Sequence, residues 1–271
     1  MHWPDDFRAA AQLPESSALY TYLLDADDDL AAEFDVRMLV AARQLATAKV
    51  LEIEVGDCDL AQWFVAVADG PGLIILAGLM AIDARVGTRT ATELVGAGDL
   101  LQPTRQQIDE LLERTDTWHA LAPTRLALLD VEFAERMRPW PQIMQALLRR
   151  AGERTANVDA LRAIACQPRL ELRLALLFWH LASRWGRVEP SGIHLSLPLT
   201  HRLLGQLVGA ERPSISHALG RLARCGLVIG TAGDWHLMGS LDEHLEYLSE
   251  RTGTLPTANA QSSLGRLASS A

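Results

Sequence analysis

Long apolar runs are missing from this 271-residue chain, and with them any case for a membrane span. Leu73 to Met80 falls short of the roughly 20 residues a bilayer requires, and Gly78 interrupts it. The opening MHWPDDFRAA lacks the charged-then-apolar pattern of an export signal, so a cytoplasmic location is expected. Cysteine is scarce. Cys58, Cys166 and Cys225 are odd in number and never in a Cys-x-x-Cys or Cys/His ligand spacing, which argues against a disulfide framework, structural zinc or an iron–sulfur sensor. No metal site is therefore expected. Repeats of fixed period are absent, and low complexity is confined to the last residues, GTLPTANAQSSLGRLASSA, which read as a frayed tail. Also missing are HExxH, GxSxG, a Walker loop and any carboxylate pair sharing a helix face with a histidine, so no catalytic residue is assigned and no enzyme is expected. His119, beside Trp118, and His180, in LLFWHLASRW, read as structural histidines, and the tryptophans as packing between layers.

What is present describes an ordinary globular protein of two domains: 49% hydrophobic and 22% charged residues, with 12 prolines. The formal charge of −9 speaks against a nucleic-acid partner until its distribution is considered. Between Pro168 and Ser240 eight arginines face only Glu171, Glu189, Glu211 and Asp234, a net of about four positive charges. The rest of the chain carries the acid, most densely in DADDD at 25–29, which reads as a solvated turn.

From Leu19 to Val50 apolar positions Leu30, Phe34, Met38, Leu39, Ala42 and Leu45 recur at helical spacing and predict one or two helices. Between Val50 and Leu101 the pattern becomes short runs rich in Val, Ile and Leu, namely VLEIEV, FVAVAD, LIILAGLMAIDARV and ATELV, separated by glycine-bearing turns. Strands so spaced predict a small antiparallel barrel or roll. A looser stretch containing Arg105 to Arg114 precedes a further strand, Leu126 to Leu129. A long helix then begins near Pro139 or Pro141. Its seam of Met144, Leu148, Ala151, Thr155, Val158 and Ala165 suits either a second copy of the helix or the chain's own roll. Gln167-Pro168 interrupts that helix and is the candidate hinge, and Leu170 to Trp185 is a further apolar-periodic helix.

The most informative stretch is Leu199 to Val228, LTHRLLGQLVGAERPSISHALGRLARCGLV. Thr200 caps a first helix whose inward face is Leu203, Leu204, Leu207 and Val208, and Gly209 closes it. Gly205 offers no side chain where a second helix must pass, and Gly209-Ala210-Glu211 is a turn short enough to set two helices at a steep angle. Pro213 lies in the first turn of the second helix, which runs from Arg212 to Cys225 and ends at Gly226. Ile215, Leu219, Leu222 and Ala223 are its expected buried face. Arg212, Ser214, His217, Arg221 and Arg224 are expected outward, the arrangement a major-groove reader needs. Leu227 to Ile229 and Trp235 to Met238 would form a hairpin wing.

Pro198 to Met238 resembles the winged helix of the CRP/FNR family of bacterial regulators across both helices, the turn and the wing. A looser resemblance covers Leu73 to Asp99, like the family's cyclic-nucleotide-binding roll, and Pro141 to Cys166, like its dimerisation helix. The resemblance implies DNA reading by Arg212, Pro213, Ser216 and His217, and phosphate contact by Thr200 and Arg202. Glutamate is common in the family at Pro213 and arginine at His217, so a different half-site is implied. In nucleotide-binding members a Gly-Glu pair follows a Gly-Asp turn and an Arg-Ser or Arg-Thr pair follows later. Here Gly98-Asp99 is followed by Leu100-Leu101-Gln102-Pro103 without the Gly-Glu pair, and Arg114-Thr115 stands near the second position. Those four residues are the candidate ligand site, although a cyclic nucleotide is not the expected cofactor and the roll is expected to serve shape and dimerisation.

The expected architecture is α+β. An N-terminal antiparallel β-roll with flanking helices occupies 1–138, a long dimerisation helix and hinge 139–167, a winged helix-turn-helix 168–240, and a helix or tail 241–271. The expected function is that of a transcription regulator binding a near-palindromic operator in double-stranded DNA as a homodimer, with RNA polymerase as a further partner and no membrane. Two other readings remain at this point: a winged helix used for protein–protein contact, and a sensor of a small molecule that is not a nucleotide.

Overall fold

The computed structural model describes residues 19–103 and 114–250. The opening MHWPDDFRAA, the stretch from Arg105 to residue 113 and the tail GTLPTANAQSSLGRLASSA lie outside them. The chain divides into two compact units, Met1–Arg162 and Ala163–Ala271. That boundary falls five residues before Pro168.

The first unit holds two antiparallel sheets. One has the order β1 (Leu19–Tyr22), β2 (Thr47–Ile53), β9 (Thr124–Leu129), β4 (Gly72–Ala77), β7 (Leu100–Leu101). The other has the order β3 (Gly56–Cys58), β8 (Arg114–Ala120), β5 (Leu79–Val86), β6 (Arg89–Gly96). Side chains alternate across a strand, and here both sides are buried. Leu73 and Ile75 of β4 and Leu126 and Leu128 of β9 fill the roll with Met80, Ile82 and Val95. Ile74, Ala127 and Leu129 point the other way, into a layer built from Leu23, Leu30, Phe34, Phe133 and Ile143. Burial on both faces explains why LIIL is continuously apolar rather than alternating. The long run LIILAGLMAIDARV is two strands, because Gly78 at φ +102° turns the chain where a Cβ would lie 2.4 Å from Thr124 Oγ1.

Two expectations for this unit need correction. Leu19–Tyr22, placed within a helical stretch, is a strand pairing with Thr47–Val50, so the helices that follow are α1 (Leu23–Ala26), α2 (Asp28–Ala31) and α3 (Val36–Leu45). FVAVAD is not a strand. Ala61–Ala66 is a short helix, α4, started by the Asp59 carboxylate accepting from the Ala61 amide at 2.8 Å. Leu60, Phe64 and Val67 fall at helical spacing and join the roll's core, with Phe64 tilted against Trp118 at 5.2 Å. Apolar composition suggested a strand, and the i, i+4, i+7 register decided otherwise.

Asp130 caps α5 (Val131–Met137) and Pro141 opens α6 (Pro141–Ala165). Ile143, Ala146, Leu147 and Arg150 are the buried stripe of α6, at i, i+3, i+4 and i+7. The expected seam is therefore divided: Met144 and Ala151 pack partly against the unit's own core, whereas Leu148 is 67% exposed and Thr155 faces solvent. Arg150 is anchored by a bidentate pair with Asp27 at 2.5 and 2.7 Å, and Arg154 by another with Glu93 at 3.0 and 2.9 Å.

The second unit is built on α7 (Leu170–Trp185), whose Leu174, Leu177, Phe178 and Leu181 are buried. A four-stranded antiparallel sheet follows in the order β10 (Arg187–Glu189), β11 (Gly192–Leu195), β13 (Asp234–Met238), β12 (Val228–Thr231). The first two strands were not expected, because Gly186, Pro190 and Gly192 read only as helix-ending residues. Trp235 of β13 packs on Phe178 at 5.0 Å. The final described helix, α10 (Leu241–Glu250), is tied down by His244, which accepts from the Trp179 indole at Nδ1 (3.1 Å) and donates from Nε2 to the Met238 carbonyl (2.7 Å).

Candidate nucleic-acid interface

Two helices of the second unit form the candidate interface, α8 (His201–Val208) and α9 (Arg212–Arg224). The Thr200 hydroxyl accepts from the Leu203 amide at 3.2 Å and starts α8, and Gly209 in the left-handed region ends it. The approach between the helices depends on Gly205. A Cβ there would sit 2.5 Å from the Ala210 carbonyl oxygen, so any side chain would push the turn away. Pro213 stands in the first turn of α9, where its missing amide leaves no bond unmade.

Ile215, Ala218, Leu219 and Leu222 are the buried face of α9, which packs on α7 and α8. Ala223, expected inside, is exposed, and Ala218 takes its place, since i, i+3, i+4, i+7 is the closer fit to one helical stripe. On the opposite face Arg212, Pro213, Ser214, Ser216, His217, Arg221 and Arg224 are all exposed, as is Arg202 on α8. Arg202, Arg212 and Arg224 have no ion-pair partner among the described residues. Arg221 differs. Its guanidinium, 49% exposed, is paired with the Glu171 carboxylate on α7, which aims it at the flank of the helix rather than straight outward. Ser216 is also engaged: its hydroxyl donates to the Arg212 carbonyl at 3.2 Å and meets His201 Nδ1 at 2.8 Å. One hydroxyl carries one proton, so with that proton on the carbonyl His201 is the donor. The contribution of His201 was not legible in the sequence, because it arises between residues fifteen apart on two different helices.

After α9 the hairpin forms with Thr231 facing Asp234 across a two-residue turn, Ala232-Gly233. Leu195, Leu197 and Leu199 are buried on the approach to α8.

Residues 172–238 match the family model of the Crp-like helix-turn-helix domain. The second unit carries a Crp-like helix-turn-helix. Solved structures extend the likeness to the fold of both units. A CooA mutant from Carboxydothermus hydrogenoformans is 15% identical with a TM-score of 0.55, covering 88% of this chain and 98% of that one. A cyclic nucleotide-binding domain containing protein from Listeria monocytogenes is 14% identical with a TM-score of 0.56, covering 70% and 88%. The regulator CLP of Xanthomonas campestris, described as c-di-GMP responsive, is 16% identical with a TM-score of 0.53, covering 79% and 100%. No curated protein sequence matches the chain significantly. The resemblance read from Pro198 to Met238 is borne out for the Crp-like helix-turn-helix, and the likeness of the two units to these solved structures is one of fold. Among the described residues no helix is long and apolar enough to cross a membrane.

The Crp-like domain is preceded by a roll whose candidate ligand residues are not brought together. Gly98 and Asp99 form a turn: the Gly98 amide donates to Ile75, and the buried Asp99 carboxylate accepts from the Gly96 amide at 2.7 Å. Arg114 and Thr115 pair with Val86 and Arg85 at the far end of β5, seven residues from Leu79, which pairs with Gly96. Strand rise puts about 20 Å between the two pairs. Arg114 is ion-paired to Asp116 at 2.8 Å, and residues 104–113, which connect the two pairs, lie outside the described residues.

Proposed function

We propose that this regulator binds a near-palindromic operator as a homodimer, placing two copies of α9 in successive major grooves roughly 34 Å apart. The observation that carries the reading is the convex edge of α9, where Arg212 and Arg224, with Arg202 beside them on α8, have no acid to neutralise them among the described residues. Arg212 stands at the N-terminal end, where a base-reading side chain is expected, and Ser214, Ser216 and His217 follow it along the same edge. Pro213 shapes the first turn, Thr200 and Arg202 serve as backbone-positioning contacts, and Arg221, held by Glu171, reaches a flanking phosphate.

Dimerisation is assigned to the part of α6 that its own unit leaves uncovered, centred on Leu148 and Thr155. Cyclic AMP is not required in this reading. The roll's interior is filled by Leu73, Ile75, Met80, Trp63 and Phe64, and Gly98-Asp99 is spent on its own turn.

The test is selection of bound fragments from random duplex DNA by the purified full chain, with and without cyclic AMP. Enrichment of one inverted-repeat sequence irrespective of the nucleotide is expected. Enrichment of single half-sites, or of nothing beyond what heparin displaces, overturns the reading.

A further inference from the structure

The wing sheet gathers three metal-ligating side chains that lie apart in sequence. His194 on β11 and His236 on β13 are direct cross-strand partners, and Asp234 precedes His236 by two residues and so shares its face. Asp234 Oδ1 lies 2.7 Å from His194 Nε2 and 3.3 Å from His236 Nε2. The two imidazoles are stacked with centroids 4.7 Å apart at 19°, and the three ligand atoms all lie within 4.8 Å of one another.

We propose that His194, His236 and Asp234 bind one divalent transition-metal ion, of which zinc is the first candidate. Two ligands at 2.0–2.1 Å from a tetrahedral ion stand about 3.3 Å apart. The His236–Asp234 separation has that value, and the 2.7 Å His194–Asp234 contact reaches it by a small outward movement of a half-exposed carboxylate. Two imidazoles and one carboxylate suit zinc, nickel or iron(II) rather than calcium or magnesium, which prefer oxygen throughout. His194 Nε2 is the nitrogen on the Asp234 side, and Nδ1 stands 3.8 Å from the Glu189 carboxylate on β10, too far for a hydrogen bond but near enough for that charge to favour a cation at the site. Arg187, the cross-strand partner of His194 on the other side, is exposed and is the one cation on this face of the sheet among the described residues. All three ligands keep some solvent access, so an ion can enter without opening the fold and would retain water at its remaining position. The bound ion would join β11 to β13 and brace the wing hairpin independently of how the domain meets DNA.

Untagged full-length protein, stripped with chelator, is titrated with zinc chloride by calorimetry, and its unfolding midpoint is followed with and without the ion. One equivalent of zinc and a higher midpoint are expected. H194Q, H236Q and D234N should each weaken binding at least about tenfold and remove the midpoint shift, with circular dichroism confirming that the variants fold. E189Q should weaken binding less than any ligand variant. Absence of zinc binding, or one equivalent bound undiminished by H194Q and H236Q, overturns the proposal. A retained site of the latter kind would lie elsewhere in the chain, for example at His119, Asp57 and Asp83 on the roll.

Discussion

Several arginines of the first unit are tied into its own fold, whereas three on the helix pair of the Crp-like domain are not. In the first unit Arg150, Arg154, Arg149 and Arg114 are paired with Asp27, Glu93, Glu33 and Asp116 of the same unit. In the second, Arg202, Arg212 and Arg224 stand on one convex edge with no such partner among the described residues. A guanidinium paired inside the fold contributes to structure, and one left in water on a shaped edge is available to an outside anion. An edge of that kind is what the proposed contact with a polyanion requires, although the whole chain is acidic.

The largest test of this contrast is on the roll side. Replacing Asp27 with alanine leaves the Arg150 guanidinium buried without its partner and should cost about 3–5 kcal/mol in denaturant unfolding. The double change D27L/R150M should recover most of that loss, because two apolar side chains carry no desolvation penalty. Should D27A prove neutral, the pair is no anchor and the contrast weakens.

On the Crp-like side, Arg212→Ala should cost about 1–3 kcal/mol at the selected operator and relax preference at one base position. Equal loss on all duplexes would make Arg212 a phosphate contact instead. The two units should also respond differently to acid. Burial pushes the His244 pKa below its ordinary value, and burial together with Arg184 does the same for His180. Both histidines then bind protons more readily unfolded than folded, so their contribution to stability is intact above the ordinary value near 6.5 and is lost as pH falls below it. Protection of α7 and α10 against hydrogen exchange, measured relative to the intrinsic rate at each pH, should fall below that pH, and H244Q should flatten the dependence for α10. The smallest expected effect is that of Glu171→Gln. Releasing Arg221 should steepen the salt dependence of DNA binding by at most about one counterion, read from affinities across a salt series.

Much of the second unit was legible because its signals are local. Thr200, Gly209, Pro213 and Gly226 mark helix ends within one turn, and the apolar stripe between them has only one helical register. The roll was harder to read. Its strands are buried on both faces, so composition alone could not distinguish β4, which is a strand, from Ala61–Ala66, which is a helix. The engagements of single side chains were hidden altogether. Nothing near Arg221 in sequence announces Glu171, fifty residues earlier, and nothing in His194 announces Asp234 and His236 forty residues on. Contacts of that kind exist only once strands have paired and helices have crossed.

If α9 reads an operator as proposed, the hydrogen bond from His201 to Ser216 bears on how a half-site is chosen. A hydroxyl on the groove-facing edge of a helix is ordinarily a free rotor, and fixing it on contact with a base loses entropy. Here the rotor is set beforehand from the neighbouring helix, and a lone pair remains for a donor on the DNA. Under the proposed reading, sequence preference at that base step depends partly on a histidine of the supporting helix, and exchanging it should retune the reader without altering α9 itself.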